Sequence, residues 1–120
     1  MTRQLISPLD RVRRTGDAGR RSERLTAKRL GAKVTPASGA ASAKGDMSRD
    51  DFLIEAKSTV ANTMQLELHW LLKIEQEARA TGRKPAIAIT FTHGSGKPVR
   101  DGRWIAIPEE LFAELIGSWE

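Results

Sequence analysis

Between Phe52 and Phe91 a strand pattern, a long helical pattern and a second strand pattern follow one another, and this succession constrains the fold most. Phe52-Leu-Ile-Glu-Ala-Lys-Ser reads as a strand, joined through a turn at Arg49-Asp-Asp to Asp46-Met-Ser, so the two make a hairpin. Residues 62–81 keep a 3.6 period in Met64, Leu68, Leu71, Leu72 and Ala78, and Gly82 ends the helix. Pro85-Ala-Ile-Ala-Ile-Thr-Phe is a continuous apolar run of the buried-strand kind. A long helix between these strands implies a crossover, so the sheet is mixed.

The flanks complete an α/β chain whose mixed sheet is flanked by helices. Asp17 suits an N-cap and Gly31 a C′ glycine for a first helix, followed by a short extended stretch, Lys33-Val-Thr-Pro. Ala37-Ser-Gly-Ala-Ala-Ser-Ala-Lys-Gly reads as a flexible loop. A Gly/Pro turn from His93 to Gly102 leads to a last strand, Arg103-Trp-Ile-Ala-Ile. Pro108 then opens a closing helix over 108–117. Residues 1–16, with Pro8 and Gly16 and no sustained periodicity, are expected to be a flexible basic arm, and 17–120 a single domain.

Composition removes several classes. The chain has no cysteine, which excludes disulfides and thiolate metal sites, and two histidines argue against structural zinc. No apolar run approaches the roughly 18 residues that span a bilayer. The start, Met1-Thr-Arg-Gln-Leu-Ile-Ser-Pro, lacks a hydrophobic signal core, so a cytosolic (intracellular) protein is expected.

Charge is divided unevenly. Residues 1–50 hold 12 Lys/Arg against 5 Asp/Glu, a net of +7, whereas 51–120 net −2, giving +5 in all. A basic excess gains affinity for phosphate backbones by counterion release, although a solvated helix face accounts for it equally well. On the first helix Arg20, Arg24 and Lys28 form one row at i, i+4 spacing.

Chemistry is suggested by Glu55-Ala-Lys57. On a strand, Glu55 and Lys57 project from one face, and an antiparallel partner brings Asp46 beside Glu55. A lone Glu-x-Lys is ordinarily a surface pair. Two converging carboxylates, however, repel unless a hard cation such as Mg²⁺ or Mn²⁺ lies between them. Glu23 is the only acid between Asp17 and Asp46. It either offsets its basic neighbours or serves as a further ligand.

Together, Glu23 on the first helix, Gly45-Asp46 and Glu55-Ala-Lys57 resemble the PD-(D/E)xK nuclease superfamily in order and spacing. Ser22-Glu23-Arg24, the loop Ala37-Ser38-Gly39 and the strand running into Ser58-Thr59 are similar to archaeal Holliday-junction resolvases and phage endonuclease I-type resolvases over about residues 16–92. The resemblance implies an αβββαβ restriction-endonuclease-like core, here with an extra strand and a C-terminal helix. It implies that Asp46 and Glu55 bind Mg²⁺ with the Ala56 carbonyl, that Glu23 supports the metal or its water, and that Lys57 acts on the nucleophile. Arg24 would contact a phosphate and Ser38 the scissile phosphate, with Ser42 competing for that place. The implied activity is hydrolysis of branched DNA such as four-way junctions by a homodimer. Arg13, Arg14, Arg20, Arg21, Arg24, Lys28 and Lys44 are the candidates to hold the DNA.

Three other readings remain: a nicking or recombination nuclease acting on other DNA, a non-catalytic DNA-binding module, and a plain protein-interaction domain, against which the +7 half argues. Elsewhere, Gln65 is a weaker candidate to join the site, and His69 is expected to pack or face solvent. Gly94-Ser-Gly-Lys-Pro lacks the first glycine and the Ser/Thr of a phosphate loop and reads as a turn. Trp70, Trp104 and Trp119 are core candidates by default. No Ser-His-Asp set suggests a hydrolase of that kind.

Overall fold

The computed structural model describes residues 8–35 and 45–117, with the side chains of 8–17 left undescribed. In order, the elements are α1 (Pro8–Leu30), β1 (Lys33–Val34), β2 (Met47–Arg49), β3 (Phe52–Thr59), α2 (Leu68–Ala80), β4 (Lys84–Thr92), β5 (Pro98–Ala106) and α3 (Glu109–Leu115). They form a five-stranded sheet in the order β1-β2-β3-β4-β5. The β3–β4 pair, joined through α2, is parallel, and the other pairs are antiparallel. The α/β class and the crossover read from the sequence are therefore the observed architecture. No helix among the described residues is long and apolar enough to cross a membrane.

Alternation along β3 creates the two layers. Ile54, with Phe52 and Ala56 beside it, packs toward α1 against Ala27, Met47, Ala86 and Ala88. Leu53 faces the other way, into a cluster with Ile74 and Ala78 of α2 and Ile87 of β4. With a side-chain period of two, Glu55 and Lys57 share the face of Leu53, the α2 face.

Boundaries differ from the sequence reading in four places. Helix α1 starts at Pro8, so Asp17 lies inside it and residues 8–16 are helical; proline suits a first turn, and an interior glycine costs about 1 kcal/mol without ending a helix. Its other end is as expected. Gly31 (φ 65) closes a Schellman turn, with Ala32 N–H donating to the Ala27 carbonyl and Gly31 N–H to that of Lys28. Helix α2 begins at Leu68 rather than 62, because its packing comes from Ile74 and Ala78, which lie over the sheet, while Val60 and Leu66 are exposed. The last strand starts at Pro98, since a bulge, a register shift between Thr90 and Thr92 with Asp101 at φ 58, absorbs the Gly/Pro-rich stretch. Helix α3 is shorter than expected, with Pro108 at its N-cap.

Candidate functional site

The hairpin sets the geometry. Asp50 (φ 52) and Asp51 turn the chain, and the pairs Arg49↔Phe52, Ser48↔Leu53 and Met47↔Ile54 fix the register. One residue further on, Asp46 stands against Glu55. Its N–H donates to the Ile54 carbonyl at 2.8 Å and its own carbonyl accepts from Thr35 at 2.8 Å, so its backbone is fully used. The next amide of β3, Ala56 N–H, then donates to the Asp46 carboxylate, Oδ2, at 2.7 Å. This side chain takes the place of a missing ladder carbonyl and is fixed at the amide between Glu55 and Lys57.

Among the described residues β2 covers β3 only from Phe52 to Ile54. Glu23, on α1, interacts electrostatically with Asp46. Burial and the Asp46 charge raise the Glu23 pKa, with Arg24 opposing. Glu55 is raised as well, first by burial and then by Asp46, against the pull of Lys57 and Lys73. Asp46 is thus the charge shared by both glutamates. Each is held where its ionised form is disfavoured, a common property of functional carboxylates.

Lys57 Nζ stands 3.7 Å from Glu55 Oε2 and 4.4 Å from the centre of the Trp70 ring, a cation–π contact. Glu55, Lys57, His69, Trp70, Lys73 and Ile74 line a groove of about 140 Å³. A second groove of about 300 Å³, between α2 and the start of α3, shares only Ile74 with it and is mostly apolar, with Glu75 and Glu109 among its lining.

Among the candidates taken from the sequence, Asp46, Glu55 and Lys57 come together, with Glu23 coupled to them through Asp46. Arg20, Arg21, Arg24 and Lys28 lie exposed on α1, and Arg21 donates to the Ser95 carbonyl at 3.1 Å, tying the β4–β5 turn to that helix. Ser38, Ser42 and Lys44 fall outside the described residues, as do the side chains of Arg13 and Arg14. His69 is exposed and pairs with Glu67 at 3.2 Å. The sequence reading missed three neighbours on α2. Trp70 touches Lys57, Lys73 faces Glu55, and Glu77 Oε1 accepts from Gly45 N–H at 3.0 Å. Their i, i+3, i+7 spacing was visible, but the side of the helix facing the strand was not.

Mg²⁺ is the ion that the resemblance implies, and the donor set suits it. The converging donors, Asp46 and Glu55, are carboxylate oxygens, and their mutual repulsion is the kind a hard cation relieves. Among the described residues no three His, Asp or Glu side chains form a ready-made metal cage. Mg²⁺ is commonly held by one or two carboxylates with water and substrate phosphate completing its shell. Compared with known protein families, curated proteins and solved structures, the chain matches none.

Proposed function

We propose that the chain is a metal-dependent DNA endonuclease of the PD-(D/E)xK kind, hydrolysing phosphodiesters in branched DNA such as four-way junctions. The observation carrying this reading is the 2.7 Å bond from Ala56 N–H to the Asp46 carboxylate. It supports the resemblance because it holds the Asp46 carboxylate beside Glu55-Ala56-Lys57, the motif with which that superfamily pairs such an acid.

In this reading Asp46 and Glu55 hold Mg²⁺, and Glu23 supports it from α1. When bound, the ion supplies an acidified water and positive charge against the phosphate. Lys57, steered by Glu55 and Trp70, donates to the oxygen on which charge develops. Arg24 and its neighbours on α1 hold flanking phosphates. Phe112, Leu115 and Ile116 are exposed on or just after α3, while Leu111 is buried; the outward three are the surface on which a homodimer would close, and Trp119 lies outside the described residues. An intracellular location follows from the substrate.

Mg²⁺-dependent cleavage of matched linear, forked and four-way DNA, with Glu55→Ala as control, tests this. Preferential cutting of the four-way substrate by the unaltered protein alone is the expected result. Cutting of linear DNA equally well would favour the nicking or recombination reading. DNA binding without any cutting would leave a non-catalytic DNA-binding module.

A further inference from the structure

Trp70, Lys73 and Glu77 occupy one stripe of α2, and the neighbouring stripe, Ile74 and Ala78, is buried in the core. Burial of that second stripe fixes the rotation of the helix, so core packing itself aims the first stripe at β3. Each member meets a different part of the candidate site. Trp70 lies against Lys57, Lys73 faces Glu55, and Glu77 holds Gly45, the residue before Asp46.

We propose that Trp70 and Glu77 are positioning residues, through which α2 holds Lys57 and the Asp46 turn in register with Glu55. The chemical role rests on the nuclease reading; the contacts do not. Lys57 has a four-carbon stem that by itself samples many rotamers. Here its ammonium is restrained from two elements at once, by Glu55 Oε2 at 3.7 Å and by the indole at 4.4 Å. Tryptophan is the aromatic that binds a cation best.

Asp46 is held in a comparable way. Its carboxylate accepts from Ala56 N–H, while the amide of Gly45, the residue before it, donates to Glu77. Gly45 has φ 67, and a Cβ there would lie 2.8 Å from Leu53 Cγ, so the turn admits only glycine and packs directly on the core. Glu77 has only 14% of its side chain exposed, yet both its oxygens are engaged, Oε1 by Gly45 and Oε2 by Lys73 at 3.8 Å. Ordinary core packing explains why Trp70 is half-buried. It does not explain an acid withdrawn from water to grip one backbone amide beside Asp46.

NMR without metal or DNA reads both contacts. In the unaltered protein the Lys57 ε-methylene protons should be shifted upfield by the indole ring current and the Gly45 amide proton downfield by its carboxylate partner. Trp70→Leu should return the first to its ordinary position and Trp70→Phe only partly; Glu77→Ala should move the second and Glu77→Gln largely keep it. On DNA that the protein cuts, Trp70→Leu and Glu77→Ala should lower kcat by roughly 10- to 100-fold with KM unchanged, and Trp70→Phe and Glu77→Gln should recover most of it. Ordinary shifts for both groups in the unaltered protein, or full kcat in Trp70→Leu and Glu77→Ala, would overturn the inference. Both shifts present in a protein that cuts no DNA would retire the nuclease reading and leave the positioning contacts standing.

Discussion

The two sides of the sheet treat charge in opposite ways. On the α2 side acids and bases are paired: Lys57 with Glu55, Lys73 with Glu77, Arg79 with Glu75. On the α1 side Lys28 and Arg103 have no ion pair among the described residues, and Arg29 has its pKa lowered by burial and by the nearby Arg103. Pairing fixes orientation, which a reacting centre needs. Unpaired exposed cations remain available to a polyanion arriving from solution and gain by releasing its counterions. Under the nuclease proposal, the paired side would do the chemistry and the α1 side would hold the DNA, and substitutions should separate the two.

The largest separation is expected at β3. Glu55→Ala or Lys57→Ala should lower cleavage by at least about 10²- to 10³-fold, the usual loss when one transition-state contact goes. DNA affinity, followed by fluorescence anisotropy, should stay within about threefold for a site that carries few phosphate contacts. A matching loss of affinity would erase the division between the sides. The converse variant, Arg24→Gln with Lys28→Gln, should reduce the slope of log affinity against log salt by about 2, since each lost phosphate contact is worth roughly 0.9. Its kcat at saturating DNA should be unchanged. An unaltered slope would remove α1 from the interface.

A smaller effect tests the electrostatics of the α2 side alone. Glu55 has its folded pKa raised, first by burial and then by Asp46. The folded protein therefore keeps this proton at pH values where the unfolded chain has lost it. Stability falls as pH rises from the ordinary carboxylate range through the folded pKa, and the full penalty is present above it. Glu55→Gln removes that penalty. Without divalent metal it should stabilise the protein at pH 7 by about 1 kcal/mol, the order of one favourable single substitution, and the gain should vanish below the ordinary carboxylate pKa. Urea melts at pH 7 and pH 3.5 measure it; an equal gain at both would place its origin in packing. Added Mg²⁺ should raise the Tm of the unaltered protein and leave that of Glu55→Gln in place, because only a native state that binds the ion gains from it.

Much of this arrangement is legible in the sequence alone. The change of period between Phe52 and Phe91 gave the crossover, and the short turn at Asp50-Asp51 was enough to bring Asp46 to Glu55, because antiparallel register is local arithmetic. The start of α1 was hidden because Gly16 and dense charge dilute the helical signal there, although neither stops a helix. Trp70 and Glu77 were hidden for a different reason. A helix's sequence gives its stripes, but which stripe meets a given strand depends on packing against Leu53 and Ile87, residues distant in the chain. Gly45 carried a local sign of its turn, yet nothing local pointed to an acceptor 32 residues away.

The brevity of β2 has a further consequence. Beyond Ile54, among the described residues, the β2-side edge of β3 is met by a single side chain, that of Asp46 at Ala56. An uncovered strand edge is a template on which another chain can add, and proteins commonly guard such edges with charge. Here Glu55 and Lys57 stand on that stretch and Asp46 occupies its amide. The groups proposed above to cut a phosphodiester therefore also stand where charge disfavours the addition of a neighbouring strand.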